Sequence, residues 1–205
     1  FNRNKLLSLA TGNDYYGSAT GMVRNYVGRP LGDMYLYIND GVFKDDEDAK
    51  NSPKLMGMGA AGDLKFKDAD GDGDVDTDDM VFFGNNMPKF NAGWMNTFTW
   101  KNWDLSLNFD GQYGGLMYWG FGYSAGLNRH MENAFGIYGR DRWKSPSQTG
   151  NGVSQKAGSS NVMLALMSQT RYLFKSDYLK LRNVTLGYTL PKNVCKLMGI
   201  NALRI

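Results

Sequence analysis

The feature that most constrains the fold is a pair of aromatic-rich segments joined by two residues. FNAGWMNTFTW (90–100) and WDLSLNFDGQY (103–113) flank the dipeptide Lys101-Asn102. The second segment alternates, with Trp103, Leu105, Leu107 and Phe109 at odd positions and Asp104, Ser106, Asn108 and Asp110 at even positions. Successive side chains of a β-strand point to opposite faces, so this period of two predicts one apolar and one polar face. The two segments therefore predict an antiparallel hairpin with a tight turn.

A third segment, YLKLRNVTLGYTLP (178–191), predicts another strand of the same kind. Its second half alternates with Val184, Leu186, Tyr188 and Leu190 on one face. Leu179 and Leu181 fall on the opposite parity. A β-bulge near Asn183 explains the change, because a bulge inserts one extra residue into the strand; a change of environment along the strand is the alternative. Pro191 ends the strand.

The rest of the chain predicts short elements between long connections. They are a frayed strand end over 1–9, a loop over 10–26, a strand over 33–38 closed by an Asn39-Asp40-Gly41 turn, a loop over 44–63, a strand over 64–67, a short helix over 78–83 capped by Asp76 or Thr77, a long aperiodic stretch over 114–176, one helical turn over 193–199 and a new strand from Ala202. We expect the stretch after Ala202 to be too short to pair.

Two architectures produce this strand pattern. A soluble β-sandwich buries the apolar face in a core, whereas a transmembrane β-barrel turns it to lipid. Eleven residues from Trp103 to Tyr113, tilted in a barrel, span about 25 Å, which is the height of the apolar band of such barrels. Trp100 and Trp103 lie at one end of the hairpin and Tyr113 at the other, as in the aromatic girdles of barrels. Pattern alone leaves both architectures open.

Composition excludes several other classes of protein. The net charge of +3 and the scattered basic residues do not indicate a nucleic-acid partner. The single cysteine, Cys195, excludes an internal disulfide framework, and the single histidine, His130, excludes a multi-histidine metal centre. The longest apolar run, 162–167, has six residues and is too short for a transmembrane helix.

No nucleophile elbow or acid–base pair accompanies His130, so we expect no enzymatic activity. We expect Cys195 to be a packing residue.

DADGDGDVDTDD (68–79) predicts a loop that binds a divalent cation. It matches the EF-hand loop template at Asp68, Asp70, Asp72 and Gly73, with Asp79 where glutamate is usual. The template adds Asp74 and Asp76 as further ligand positions, so the predicted metal residues are Asp68, Asp70, Asp72, Asp74, Asp76 and Asp79. The number of protein oxygens favours Ca²⁺ over Mg²⁺, and a solvated acidic turn is the alternative. The flanks do not predict two long helices, so the cation is expected to be structural.

Two weaker patterns need a decision. Residues 57–62, GMGAAG, match G-x-G-x-x-G, but neither a strand before them nor a helix after them is predicted, so we expect a glycine-rich loop and no nucleotide site.

Aromatic residues of the long stretch 114–176 are candidates for contact with a ligand or a protein lid, and packing of the loop on itself is the alternative. These candidates are Tyr118, Trp119, Tyr123 and Trp143.

Several motifs occur in an order that resembles a known family. These are VGRPLGDMYLY, NDGVF, GDLKFKDADGDGDVDTDD, FFGNNMPKFNAGWMNTFTWKNWDLSLNFDGQYG, YLKLRNVTLGYTLPK and INALRI. The ordered set resembles the SusC/RagA family of TonB-linked outer-membrane transporters over most of 27–113 and 177–205. Residues 1–26 and 114–170 match poorly.

The resemblance implies an all-β fold, an antiparallel segment of a plugged transmembrane barrel of about 22 strands with long extracellular loops. The implied divisions are a strand end at 1–9, extracellular loops at 10–88 and 114–176, a barrel hairpin at 89–113, a barrel strand at 177–190, a periplasmic turn at 191–201 and a truncated strand at 202–205. It also implies a place in the outer membrane of a Gram-negative bacterium, import of oligosaccharides or oligopeptides, a SusD-like surface lipoprotein as partner, and TonB, which would contact a part of the protein outside this segment. The alternative is a secreted, calcium-stapled β-sandwich that binds carbohydrate. A closed core around Leu105, Leu107 and Phe109 would favour that alternative.

Overall fold

The computed structural model describes residues 1, 3–10, 12, 15–17, 22–120, 136–158 and 168–205. The strands in this part of the chain are β1 (Tyr15–Tyr16), β2 (Asn25–Tyr26), β3 (Asp33–Leu36), β4 (Asn39–Val42), β5 (Leu64–Phe66), β6 (Val81–Asn85), β7 (Phe90–Trp100), β8 (Trp103–Tyr113), β9 (Leu116–Tyr118), β10 (Leu173–Lys175) and β11 (Tyr178–Tyr188). The helices are α1 (Asp46–Asn51), α2 (Gly136–Arg140) and α3 (Lys192–Leu197), with 3₁₀ turns at Thr77–Asp79 and Thr170–Tyr172. Every pairing between these strands is antiparallel. The predicted all-β class is therefore confirmed.

The chain divides into two compact units. The strand unit comprises residue 1, 88–115 and 176–205, and the loop unit comprises the described residues of 3–87 and 116–175. None of the helices in the described ranges is long and apolar enough to cross a bilayer.

The strand unit is a three-stranded antiparallel sheet in the order β11-β8-β7. β7 and β8 pair without a break from Phe90 opposite Tyr113 to Trp100 opposite Trp103. Lys101 adopts φ +52°, the left-handed conformation that tight hairpin turns use. The predicted hairpin with its tight turn is confirmed.

One face of this sheet is apolar across all three strands, and we call it the apolar face. Its residues are Phe90, Ala92, Trp94, Asn96, Phe98 and Trp100 of β7, Trp103, Leu105, Leu107, Phe109, Gly111 and Tyr113 of β8, and Leu179, Leu181, Val184, Leu186 and Tyr188 of β11. Leu186 is 61% exposed and Trp94 50% exposed. Leu105, Leu107 and Phe109 are half-buried by their own neighbours in the central strand. The apolar face therefore does not close into a core in the described residues, contrary to what a sandwich requires.

The parity change in β11 is produced by a bulge. The register between β11 and β8 shifts between Leu181 and Asn183, which makes Arg182 the extra residue. Leu179 and Leu181 consequently lie opposite Gly111 and Phe109, on the same face as Val184. The predicted bulge is confirmed one residue from the expected position, and the alternative of a changed environment is not needed.

Deletion of Arg182 is expected to lower the free energy of unfolding by about 1–3 kcal/mol, because it moves the cross-strand pairs of residues 178–181 to the wrong face and each such pair contributes about 0.2–1 kcal/mol. Arg182→Ala is the control, because it keeps the register and removes only an exposed ion pair worth about 1 kcal/mol or less. Urea unfolding of the two variants measures the difference. Equal losses would mean that the bulge does not set the register.

The opposite, polar face is tied together by side-chain pairs. Arg182 donates to Asp110 at 2.8 Å, and Tyr178 donates to the same carboxylate at 3.0 Å. Arg204 donates from Nε to Asp104 at 3.0 Å. Its guanidinium passes directly over Gly187, where an added Cβ would lie 2.4 Å from Nη2. A side chain at position 187 would therefore displace the guanidinium of Arg204 from Asp104.

The last residues of the chain pair with the end of β11. Tyr188 and Ile205 exchange two backbone hydrogen bonds of 2.9 Å, and Leu190 donates to Leu203. The expectation that the stretch after Ala202 is too short to pair is wrong. The ion pair of Arg204 with Asp104 adds a side-chain anchor that offsets the short ladder.

Helix α3 begins at Lys192, one residue before the helical turn predicted over 193–199. Gly199, with φ +69°, lies just after its end. Cys195 is 1% exposed and its thiol points to the carbonyl of Leu190 at 3.7 Å. Its predicted packing role is confirmed.

The buried core belongs to the loop unit. Among the described residues, every buried apolar side chain except Cys195 lies there. Its main cluster is Tyr37, Val42, Leu55, Leu64, Phe66, Val75 and Met80. The β3–β6 and β4–β5 ladders and the contact of Tyr37 with 168–170 bring these distant segments together.

Several short predictions in the loop unit need correction. Asn39-Asp40-Gly41 begins β4 and is not a turn, because it pairs with β5. The helix expected over 78–83 is only the 3₁₀ turn Thr77–Asp79, and Val81 already belongs to β6, which pairs with β3. The described residues of 1–9 contain no strand. The structure also adds α1, which is capped by Asp45, within a charged segment that predicts a loop.

Candidate functional site

The acidic loop 68–79 connects β5 to the strand that precedes the hairpin, and Val75 anchors it. Val75 is 0% exposed and belongs to the main core cluster. Its N–H donates to Lys54 at 3.2 Å, and Met56 donates to its carbonyl at 2.9 Å. The side chain of Val75 therefore anchors the acidic loop in the core of the loop unit.

Three of the six predicted ligands come together. Carboxylate oxygens of Asp68, Asp70 and Asp79 all lie within 4.8 Å of one another. These residues occupy the first, third and twelfth positions of the EF-hand template. Oxygen atoms at this separation suit a hard cation, which prefers several oxygen ligands.

Asp79 is the buried member of the cluster, at 1% exposed. Its two oxygens accept hydrogen bonds from the N–H groups of Ala69, Asp70 and Asp76, the last at 2.8 Å. The side chain of Asp76 accepts a hydrogen bond from the N–H of Asp78 and so caps the 3₁₀ turn. A carboxylate held by three donors is fixed in position, so Asp79 closes the loop.

The other two carboxylates of the cluster have opposite electrostatic environments. The N–H groups of Gly73 and Gly71 lower the pKa of Asp68 below its ordinary value. The N–H of Asp72 acts in the same direction on Asp70, but desolvation and the charges of Asp72, Asp79 and Asp68 together raise the pKa of Asp70. Desolvation and repulsion by the neighbouring carboxylates together therefore outweigh the one backbone donor at Asp70. A bound cation would relieve that repulsion.

Asp72, Asp74 and Asp76 lie outside this cluster. Each is exposed and accepts from a nearby backbone N–H, those of Asp74, Val75 and Asp78 respectively. Gly73 has φ +100°, the left-handed turn that the template's glycine provides. The residues present therefore fit the first, third, sixth and last positions of a calcium loop, and the remaining predicted ligands stay predictions.

The candidate aromatic residues pack against the protein where they are described. Trp143 is half-buried on the core cluster and its Nε1 donates to the carbonyl of Lys44 at 3.0 Å. Tyr118 and Trp119 contact the ring of Tyr172 edge-on, with ring centroids 6.2 and 6.5 Å apart. These contacts favour packing of the loop on itself. Tyr123 and His130 lie outside the described residues.

The glycine-rich segment 57–62 is a turn against aromatic rings. An added Cβ would lie 2.7 Å from Phe43 at Gly59 and 2.5 Å from Trp143 at Gly62. The segment is followed by β5 and not by a helix. Its glycines therefore serve close packing, in agreement with the expected absence of a dinucleotide fingerprint.

Sequence patterns did not identify the ion pairs on the polar face of the strand unit. Arg182 and Arg204 reach carboxylates 72 and 100 residues away in sequence. Both aspartates lie at polar positions of the alternating strand, which is the signal that places them on this face. Their arginine partners depend on the bulge and on the pairing after Ala202.

Comparison with known proteins identifies relatives of the chain. No family model matches it. The TonB-dependent receptor P3 of Formosa agariphila is 28% identical over 219 residues, covering 100% of this chain and 20% of that protein. The TonB-dependent receptor P39 of the same organism is 26% identical over 244 residues, covering 100% of this chain and 23% of that protein.

A solved structure shows the same fold. The structure of the RagAB peptide importer in the 'open-open' state aligns with a TM-score of 0.65 and 17% identity, over 98% of this chain and 20% of that chain. At this identity the likeness concerns the fold alone, and it agrees with an antiparallel all-β segment.

The chain thus spans about a fifth of the length of these curated relatives. These relatives are receptors by name, and neither is described as an enzyme. The resemblance stated from the ordered motifs is confirmed: the chain is homologous to a segment of the TonB-dependent receptors.

Proposed function

We propose that the chain is a barrel segment of a TonB-dependent transporter in the outer membrane of a Gram-negative bacterium. The observation that carries the proposal is the exposed apolar face of the strand unit, opposite a face of charged and amide side chains. Transmembrane barrels alternate in this way, with apolar residues toward lipid and polar residues toward the lumen. Strands β7, β8 and β11 have 11 residues each, the length that a tilted transmembrane strand needs.

The connections give the proposed orientation. The two-residue turn at 101–102 and the connection 191–201 are short, as periplasmic turns of barrels are. The long segments 10–88 and 114–176 then belong to the extracellular side. The acidic loop of the loop unit would lie outside the cell, where calcium reaches the concentrations at which weak extracellular sites load.

The cargo is proposed to be an oligosaccharide or an oligopeptide. The peptide class is supported by the structural neighbour, which is a peptide importer, and the glycan class by the family resemblance. A SusD-like lipoprotein on the surface and TonB on the periplasmic side are the proposed partners.

Ca²⁺ is the proposed structural cation of the acidic loop. Asp68, Asp70 and Asp79 are its proposed ligands, which the close approach of their oxygens supports. Asp72, Asp74 and Asp76 are the further expected ligands.

Fluorescence quenching tests the membrane assignment. Leu186→Cys and Thr185→Cys lie next to each other on opposite faces of β11. Each is made in a Cys195→Ala background of the full transporter chain, labelled with bimane in urea and refolded into lipid vesicles. Bimane at position 186 is expected to be quenched by lipids with brominated acyl chains, and bimane at position 185 by aqueous iodide. A secreted sandwich predicts no quenching by brominated lipid at either position, and that result would overturn the proposal.

A further inference from the structure

The apolar face contains a cavity near the end of the sheet where β7 begins and β8 ends. Its volume is about 480 Å³, within the usual range of small-ligand sites. Ala92 and Gly111 lie opposite each other in the ladder and line the cavity. The single methyl group of Ala92 and the missing side chain of Gly111 leave a depression between larger neighbours. The cavity therefore arises from a local change in residue size on an otherwise bulky face.

Aromatic pairs form the two ends of this depression. Trp94 and Phe109 pack with ring centroids 5.4 Å apart, and Phe90 and Tyr113 with centroids 5.7 Å apart. The two pairs are four residues apart along β7, or about 13 Å at the rise of a strand. Leu179, which is 79% exposed, lines the side formed by β11. The cavity is thus walled by rings and an aliphatic side chain.

We propose that this cavity binds one acyl chain of a phosphate-bearing membrane lipid. The inference rests on the proposed function, since it needs the apolar face to lie in the bilayer. A chain in a concave site contacts apolar atoms on several sides, whereas a chain on a flat strand surface contacts them on one side. The aromatic walls supply large apolar contact areas. The lipid is therefore held more tightly here than elsewhere on the apolar face.

The position of Lys89 favours an anionic headgroup. Lys89 immediately precedes β7, donates its N–H to Tyr113 at 2.9 Å and lays its side-chain stem beside Gly114. It takes part in none of the ion pairs found among the described residues. Asp177 also lines the cavity, and its carboxylate accepts from the N–H of Gly114. Lys89 thus lies at the end of the strand, from which its side chain can reach a lipid headgroup at the boundary with water.

The size of the depression argues for a lipid over a second protein. A stable protein–protein contact buries about 800 Å² on each partner. The depression is confined to one end of the sheet and ends at the Trp94–Phe109 pair. A single chain fills such a site, and the rest of the apolar face remains available to bulk lipid.

The test uses the full transporter chain, purified in detergent and incubated with dimyristoyl phosphatidylglycerol or with phosphatidylcholine of the same chains. Native mass spectrometry counts the retained lipids. Ala92→Trp fills the depression, and we expect it to abolish retention of the tightest-bound phosphatidylglycerol. Lys89→Gln is expected to lower affinity for phosphatidylglycerol about five-fold and leave phosphatidylcholine unchanged, which is the effect of one basic residue at a membrane surface.

Val184→Trp is the control, because it adds the same ring on the same face outside the cavity. Equal retention by the two tryptophan variants would overturn the acyl-chain site while leaving the barrel assignment intact. A change from dimer to monomer on Ala92→Trp, without loss of lipid, would identify a second copy as the occupant and would also overturn it. The bimane experiment on Leu186 and Thr185 reports separately on whether the face lies in lipid at all.

Discussion

Replacing Leu107 with lysine is expected to lower the stability of the membrane-inserted barrel by about 2–4 kcal/mol, the cost of a basic side chain near the bilayer midplane on the lipid face. Leu107 lies near the middle of β8, opposite Val184 and Asn96 on the apolar face. An ammonium group there loses its hydration and finds no carboxylate on that face. Urea unfolding in lipid vesicles measures the loss of free energy.

Ser106→Lys is the matched control in the adjacent position. Ser106 lies on the polar face, where it hydrogen-bonds Thr97 at 3.0 Å. Its replacement is expected to cost less than about 1 kcal/mol beyond the lost hydrogen bond, because a lumenal lysine stays hydrated. If the two variants lost the same stability, the apolar face would not be in contact with lipid.

Replacing Asp79 with alanine is the second large effect, and it acts on the loop unit. The change removes the acceptor of three backbone N–H groups around a buried carboxylate. These hydrogen bonds are partly buried, and leaving their donors without an acceptor costs about 1–3 kcal/mol. We expect amide exchange over 63–83 to accelerate accordingly, and we expect Asp79→Ala to abolish calcium-dependent protection. Hydrogen-exchange mass spectrometry of the full chain measures both.

Asp78→Ala is the control for this experiment, because Asp78 is the exposed neighbour of Asp79. In the wild-type chain, calcium at 100 times its dissociation constant is expected to stabilise the loop by about 2.7 kcal/mol. Chelation should therefore loosen 63–83 and leave the hairpin 90–113 protected. No change on chelation would mean that the loop is a solvated acidic turn. Loss of protection in the hairpin would mean that the cation supports both units.

The extent to which sequence predicted this protein differs between its two units. The hairpin, the parity change of β11 and the helical turn around Cys195 follow from local signals, because strand period, turn length and glycine position act over a few residues. The loop unit was predicted poorly. β4 occupies a turn motif and α1 occupies a charged segment, since pairing with β5 and capping by Asp45 outweigh local propensity.

The candidate site shows the same division. The spacing of aspartates predicted the acidic loop, and the structure shows that buried Val75 anchors it. The sequence did not show that Asp68, Asp70 and Asp79 are the carboxylates that converge. That selection depends on backbone N–H groups, which turn the side chains of Asp72, Asp74 and Asp76 elsewhere.

By itself, the sequence determined that β8 and the second half of β11 carry an apolar and a polar face, because the side-chain period of a strand is two. Tertiary structure decided that the apolar faces align into one exposed surface, because the register of β8 with both neighbours and the extra residue Arg182 bring them to the same side. It also decided where that surface is hollow, since Leu179 of β11 lines one side of the depression beside Ala92 and Gly111. The pairing of β11 with β8 joins residues far apart in the chain, and no local pattern specifies it.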